Sequence, residues 1–484
     1  MSVKPTLKID DFNTICGTIG GLIILYGLVS FVVKEHLYLS EATIATAIGI
    51  AFGPHGAGWI EPATFGNIDD ITRNFARLVL GFRLFLTGVQ LPQKYLRVEW
   101  KSLSMLLGPV MTVKWIVCTG FILAFIPGLR FVDALVIGAC VTPTDPVLST
   151  TIVKGGFAEK NIAVRLRDII SAESGANDGF GYPFLFLGLN ILRYPAGRAV
   201  ETWVIDTVCY QVLLSVAYGT VVGYLAQKVL HIAVHYKLID RESFHISAFA
   251  VAVFILGTCG SIGTDDLLAC FVAGNVFTWD DWYRIKTKDD SLQDTFDLLF
   301  NLGFFIFYGT LIPWNQLNTS EIPVWRFIVL GVVIMAFRRL PLVLVLYKFI
   351  PAIQNLREAC FAGFFGPIGV GAIFYVQIAI EFLITPGAGQ LESVAEDNRL
   401  VQLLPVIVYF LVLCSIIVHG FTILFAKSGL GFTRTFSTST KSSDRAPTLR
   451  IPLTMRDQSR NGTADRHSTM EDEVHDEISL SSMT

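Results

Sequence analysis

Residues 141–149 read VTPTDPVLS. They interrupt an apolar run, Val132 to Val153, that is otherwise long enough to cross a membrane. Proline removes a backbone donor and breaks a helix. A carboxylate in hydrocarbon costs about 2.5–3.5 kcal/mol on insertion scales. Both penalties fall within Thr142-Pro143-Thr144-Asp145-Pro146, so the stretch demands a use for them.

Composition places the interruption in a membrane. Hydrophobic residues make up 52% of the chain and charged residues only 16%, with a mean hydropathy of +0.57; soluble domains carry about 25% charge. Thirteen apolar windows follow one another, near 14–33, 39–55, 71–91, 102–126, 132–153, 165–191, 204–230, 243–262, 265–279, 293–313, 322–346, 358–382 and 402–426. The windows at 39–55 and 265–279 are short, which leaves twelve as the alternative count. The expected architecture is an all-α polytopic membrane protein of about 13 transmembrane helices. Residues 1–13 would be an extracellular segment, 14–427 the membrane domain, and 428–484 a disordered cytoplasmic tail rich in Ser, Thr and charge. Lysine and arginine concentrate in the loops that this topology puts inside, with Lys94, Arg97, Lys101, Arg165, Arg167, Arg284 and Lys286 among them. The eight cysteines all fall in apolar windows and read as small buried hydrophobes. No HExxH, GxSxG or P-loop is present, so neither enzyme chemistry, a cofactor nor a nucleic-acid partner is expected.

A second interruption lies in the twelfth window, in FAGFFGPIGVG, with Gly366 and Pro367 at its centre. If windows 1–6 and 8–13 are two inverted six-helix repeats, each repeat is broken in its fifth helix. Paired breaks at matching positions point to a transporter whose ion site lies at the broken helices.

The sixth window supplies the acids: AESGANDG holds Glu173, Ser174, Asn177 and Asp178. On a helix Glu173 and Asn177 share one face, with Ser174 and Asp178 one position round. The eleventh window carries Arg338 and Arg339, and a buried arginine suits a permanent ion pair. Glu173 is assigned to Arg339, with Arg338 as the fallback partner. Asp178 and Asp145 are then the working acids. Oxygens from Asp145, Ser174 and the Thr144 region would complete a hard-cation shell around Asp178. Burial and the neighbouring negative charge make a proton a competitor for the same carboxylate. Asp145 either neutralises the positive helix ends at the break or helps to hold the cation.

VTPTDPVLS, ESGANDG, RRLP and GFFGPIG, in this order, resemble the monovalent cation/proton antiporter superfamily. Within it they are similar to the fungal plasma-membrane sodium/proton antiporters, as are GPHGA at 53–57 and GTDDLLACFVAG at 263–274. The resemblance covers roughly residues 14–426. It implies a homodimer with a mobile core and crossed broken helices, as in the NhaA and NhaP antiporters. It also implies exchange of cytosolic Na⁺ or Li⁺, with K⁺ a further candidate, for H⁺. The family's ion-binding aspartate maps onto Asp178, its ligands onto Thr144, Asp145 and Ser174, and its conserved pair onto Glu173 and Arg339. Asn177 gives the Asn-Asp form associated with electroneutral exchange. No resident metal is expected beyond the transported ion. Gln90 stands where some relatives carry a supporting glutamate, Pro143 stiffens the first break, and Phe364 replaces a histidine of one relative. Asp265 and Asp266 are either functional acids, as in relatives, or a helix cap. An endomembrane K⁺/H⁺ exchanger is the runner-up reading and a cation channel a more distant one. Regulators of the tail remain open as partners.

Overall fold

The structure, a computed structural model, describes residues 11–31, 40–153, 162–288, 291–385 and 399–427. All of these belong to one compact unit that ends at Lys441, and the second unit, Ser442–Thr484, lies outside the described residues. So do the expected tail, most of the expected N-terminal segment, and the loop lysines Lys34, Lys154 and Lys160.

The described residues are helical, without strands. In chain order the main helices are α1 (Asp11–Phe31), α2 (Glu41–Phe52), α3 (Ile68–Gln90) and α4 (Trp100–Phe125). Then come α5a (Phe131–Val141) and α5b (Pro146–Val153), and α6a (Val164–Phe180) and α6b (Tyr182–Arg193). α7 (Ala196–His235), α8 (Arg241–Ile262), α9 (Asp266–Phe277) and α10 (Leu292–Leu311) follow. The last are α11 (Val324–Phe349), α12a (Leu356–Phe364), α12b (Val370–Ile384) and α13 (Arg399–Lys427). By length and composition, six helical stretches among the described residues can cross a membrane: Trp100–Phe125, Phe131–Ser149, Ala196–His235, Arg241–Ile262, Val324–Phe349 and Arg399–Phe421.

Helix starts follow local chemistry. Asn67, Asp240, Asp265 and Asn355 each turn a side-chain oxygen onto an unpaired N–H of the first turn of α3, α8, α9 and α12a. Ser40 does the same for α2. Burial then sorts the helices. Every residue of α9 is buried, so an apolar helix without a polar face sits inside the bundle. α7 and α8 instead turn Val221, Val229, Ile232, Val253 and Phe254 outward, as helices facing lipid do.

The two halves are built alike. α2 lies along α10 and α9 lies along α3, so the second helix of each half packs on the third helix of the other. Glycine permits both contacts. Gly49 is the ninth residue of α2 and Gly274 the ninth of α9. A Cβ on Gly49 would stand 3.0 Å from Gly309 Cα, and one on Gly309 would stand 2.9 Å from Gly49 Cα. A Cβ on Gly274 would meet the Phe85 backbone, and one on Gly88 the Gly274 carbonyl carbon at 3.0 Å. Gly274→Leu is therefore expected to lower stability by about 1–3 kcal/mol through overpacking. The check is a lower melting temperature in detergent, with Gly257→Ala, which has open space around its Cβ, as the neutral control.

Both predicted interruptions are present. α5 is open over residues 142–145 and α12 over 365–369. A third lies in α11, between Phe337 and Leu340. Pro341 cannot donate a backbone hydrogen bond there, so Arg338 and Arg339 sit at a joint instead of within a continuous turn.

Candidate functional site

The breaks of α5 and α12 meet. Asp145 donates its backbone N–H to the Pro367 carbonyl at 2.9 Å. Its carboxylate accepts the N–H of Val147 at 2.6 Å and, through the other oxygen, the N–H of Val370. Both N–H groups belong to the first turn of a half-helix, α5b and α12b. One carboxylate thus answers the positive ends of two half-helices at once. The Asp145 carbonyl accepts Ser149 Oγ at 2.6 Å.

The opposite ends of the half-helices are answered by a cation. Arg338 donates to the carbonyls of Val141, which ends α5a, and of Gly366, within the α12 break. Arg339 turns the other way and pairs with Glu173 through two hydrogen bonds of 2.5 and 2.6 Å. Both side chains of that pair are buried, at 4% and 2% exposure. Arg339 Nε also reaches the Ala362 carbonyl at 2.8 Å.

α6a carries the remaining polar groups to the breaks. Asn177 donates from Nδ2 to Thr144 Oγ1 at 2.6 Å. Thr144 Oγ1 lies 3.4 Å from Ser174 Oγ, which lies 3.2 Å from Ser149 Oγ. Asp178 follows on the same turn, 1% exposed. Its carboxylate lies over the start of α12b, where a Cβ on Gly371 would collide with it. Neither of its oxygens has a hydrogen-bond partner among the described residues, and neither has Asn177 Oδ1. A buried carboxylate left this way is strongly unfavourable unless it holds a proton or a cation. The donors around it are hydroxyl, amide and carboxylate oxygens, the set that suits a hard cation. Among the described residues no group of three or more His, Cys, Asp or Glu could hold a metal ion.

Other candidates lie elsewhere. Gln90 ends α3, half-buried, and makes none of these hydrogen bonds. Asp265 caps α9 through the N–H of Leu268 at 3.0 Å, and Asp266 pairs with Arg77. That pair borders a cavity of about 570 Å³ also lined by Arg73, Tyr182 and Glu381. Tyr182 lies edge-on to Tyr375, whose hydroxyl donates to the Asp178 carbonyl. Pro146 opens α5b and Pro143 lies inside the break. Sequence reasoning passed over Ser149 and Lys114. Lys114 on α4 is fully buried, and its ammonium nitrogen has no partner among the described residues. An ionisable residue in the apolar run VKWIVCTGFILAF was the available signal.

An all-helical membrane fold in which two interrupted helices meet over a buried carboxylate is the architecture of secondary transporters as a class. Residues 21–426 match the family model for the transmembrane sodium/hydrogen exchanger, and the chain belongs to that family. It is 41% identical over 433 residues to a protein of Schizosaccharomyces pombe named as a probable Na⁺/H⁺ antiporter, covering 86% of this chain and 57% of the relative. It is 38% identical over 470 residues to a Na⁺/H⁺ antiporter of Saccharomyces cerevisiae, covering 92% and 47%. A second S. pombe Na⁺/H⁺ antiporter is 37% identical over 424 residues, covering 86% and 90%. The chain thus spans about half the length of the first two relatives. Among solved structures it is similar to the sodium proton antiporter MjNhaP1 of Methanocaldococcus jannaschii. That likeness has a TM-score of 0.65 at 16% identity and covers 89% of this chain and all of the other, a likeness of fold.

Proposed function

We propose that the chain is a plasma-membrane antiporter, working as a homodimer, that exports cytosolic Na⁺ or Li⁺ in exchange for H⁺ at Asp178. K⁺ is the third candidate cation. The observation that carries the reading is the Asp178 carboxylate, buried beside Asn177 Oδ1 with both of its oxygens unpartnered. Glu173 is neutralised by Arg339, and Asp145 by the two half-helix N-termini. Asp178 is then the acid of this cluster whose charge is left to the transported ions. It holds either one proton or one alkali ion, with Asn177, Thr144 and Ser174 as further oxygen donors. Each crossing of the occupied site then moves the same net charge, which makes one-for-one exchange electroneutral.

The test is exchange by the purified full chain in proteoliposomes carrying an inward-acid gradient. Added Na⁺ and Li⁺ are expected to dissipate the gradient saturably and at a rate independent of imposed membrane potential. Flux of Na⁺ without proton movement, as in a channel, would overturn the reading. A response to K⁺ alone would move the protein to the endomembrane K⁺/H⁺ class.

A further inference from the structure

α13 passes behind the second break. It carries Ser415 and His419 one turn apart, so both fall on the same helix face. Both are buried. The Ser415 hydroxyl accepts the backbone N–H of Ile368 at 2.7 Å. His419 Nε2 lies 3.3 Å from the Phe364 carbonyl oxygen. Its Nδ1 lies 3.3 Å from Ser415 Oγ and 3.0 Å from the Ser415 carbonyl. Each ring nitrogen faces a carbonyl oxygen: a ring proton on Nδ1 donates to the Ser415 carbonyl, and one on Nε2 donates to the Phe364 carbonyl. Ile368 N–H donates to Ser415 Oγ in either case; with the ring proton on Nε2, Ser415 O–H donates to His419 Nδ1 and His419 Nε2–H to the Phe364 carbonyl.

Phe364 and Ile368 bracket the stretch in which α12 loses its own backbone partners. Between and beyond them, Gly366 gives its carbonyl to Arg338, Pro367 its carbonyl to Asp145, and Val370 its N–H to the Asp145 carboxylate. Every polar bond that α12 makes to Asp145 therefore comes from a segment held from behind by one serine and one histidine. Asp145 is followed back along the chain by Thr144, which receives Asn177.

We propose that Ser415 and His419 are positioning residues for the cation site, fixing residues 364–370 in the register that serves Asp145. The assignment rests on the exchange reading above and deepens it. Neither side chain is a ligand of the cation. Loosening them shifts the peptide that holds Asp145, then Thr144, then the amide of Asn177, so cation affinity falls while Asp178 keeps its capacity to turn over.

The experiment compares the purified full chain with Ser415→Ala, His419→Phe and His419→Gln. Hydrogen–deuterium exchange of a peptide spanning 364–370 reads the clamp without any need for transport. Na⁺-dependent dissipation of the proteoliposome pH gradient reads KM and maximal rate separately. Ser415→Ala and His419→Phe are expected to speed amide exchange there by about tenfold and to raise KM for Na⁺ about fivefold or more, the scale of one lost hydrogen bond. Maximal rate stays within about twofold. His419→Gln restores both quantities, because its amide can still donate to Phe364. Unchanged amide protection in Ser415→Ala overturns the proposal, as does a glutamine variant no better than phenylalanine. If the wild type exchanges normally and both loss variants keep its KM, the positioning role fails and the exchange reading stands. If the wild type moves no cation while amide protection responds as described, the clamp stands and the exchange reading fails.

Discussion

Asp178→Asn is expected to abolish cation-driven proton movement in proteoliposomes while leaving the protein folded. The fold should survive because the Asp178 oxygens make no hydrogen bond for the substitution to break. Asparagine is nearly isosteric and does not crowd Gly371 further. What disappears is the exchangeable charge: an amide neither takes up a proton at working pH nor neutralises an alkali ion. The measurement is gradient dissipation by Na⁺ and Li⁺, with the melting temperature as a control for folding. Rates comparable to the wild type from purified Asp178→Asn would remove this carboxylate from the mechanism.

The second large effect belongs to the neighbouring pair and is opposite in kind. Glu173→Gln or Arg339→Met leaves one uncompensated charge in a nearly solvent-free position. Breaking such a pair from one side costs about 3–5 kcal/mol. Arg339 would also release the Ala362 carbonyl. Both single variants should therefore melt much earlier in detergent than the wild type. The double variant Glu173→Leu with Arg339→Met should recover a good part of the loss, since no charge is then stranded. Single variants as stable as the parent, or a double variant worse than the sum of the singles, would show that the pair is not held as the structure has it.

The bundle was readable from the chain because its causes are local. Apolar length and the Pro and Gly residues of the two breaks act within a few residues of where they lie. The caps at Asn67, Asp240 and Asn355 are equally local but are not read from the sequence, where only Asp265 and Asp266 are offered as a cap. Contacts between remote segments are less legible. Arg338 and Arg339 are neighbours in a joint, and nothing in their order says that one reaches Glu173 while the other reaches two carbonyls; the break before Pro341 decides it. Asp145 offered two roles at the level of sequence. Its partners are the N–H groups of Val147 and Val370, and the second comes from 225 residues away. Ser149 could have been found, since it lies one turn beyond Asp145 on α5b. Gly49 and Gly309, or Gly88 and Gly274, could not: each is an unremarkable small residue until its partner helix is known.

Arg338 bears on how cargo would cross. A single guanidinium is bound to a carbonyl of each interrupted helix, and Asp145 stitches the same two helices together from the far side. Sliding one past the other would strip several buried dipoles of their partners in one step. The two breaks are therefore tied into one unit, and relative movement of α5 and α12 at this point carries a cost in buried hydrogen bonds.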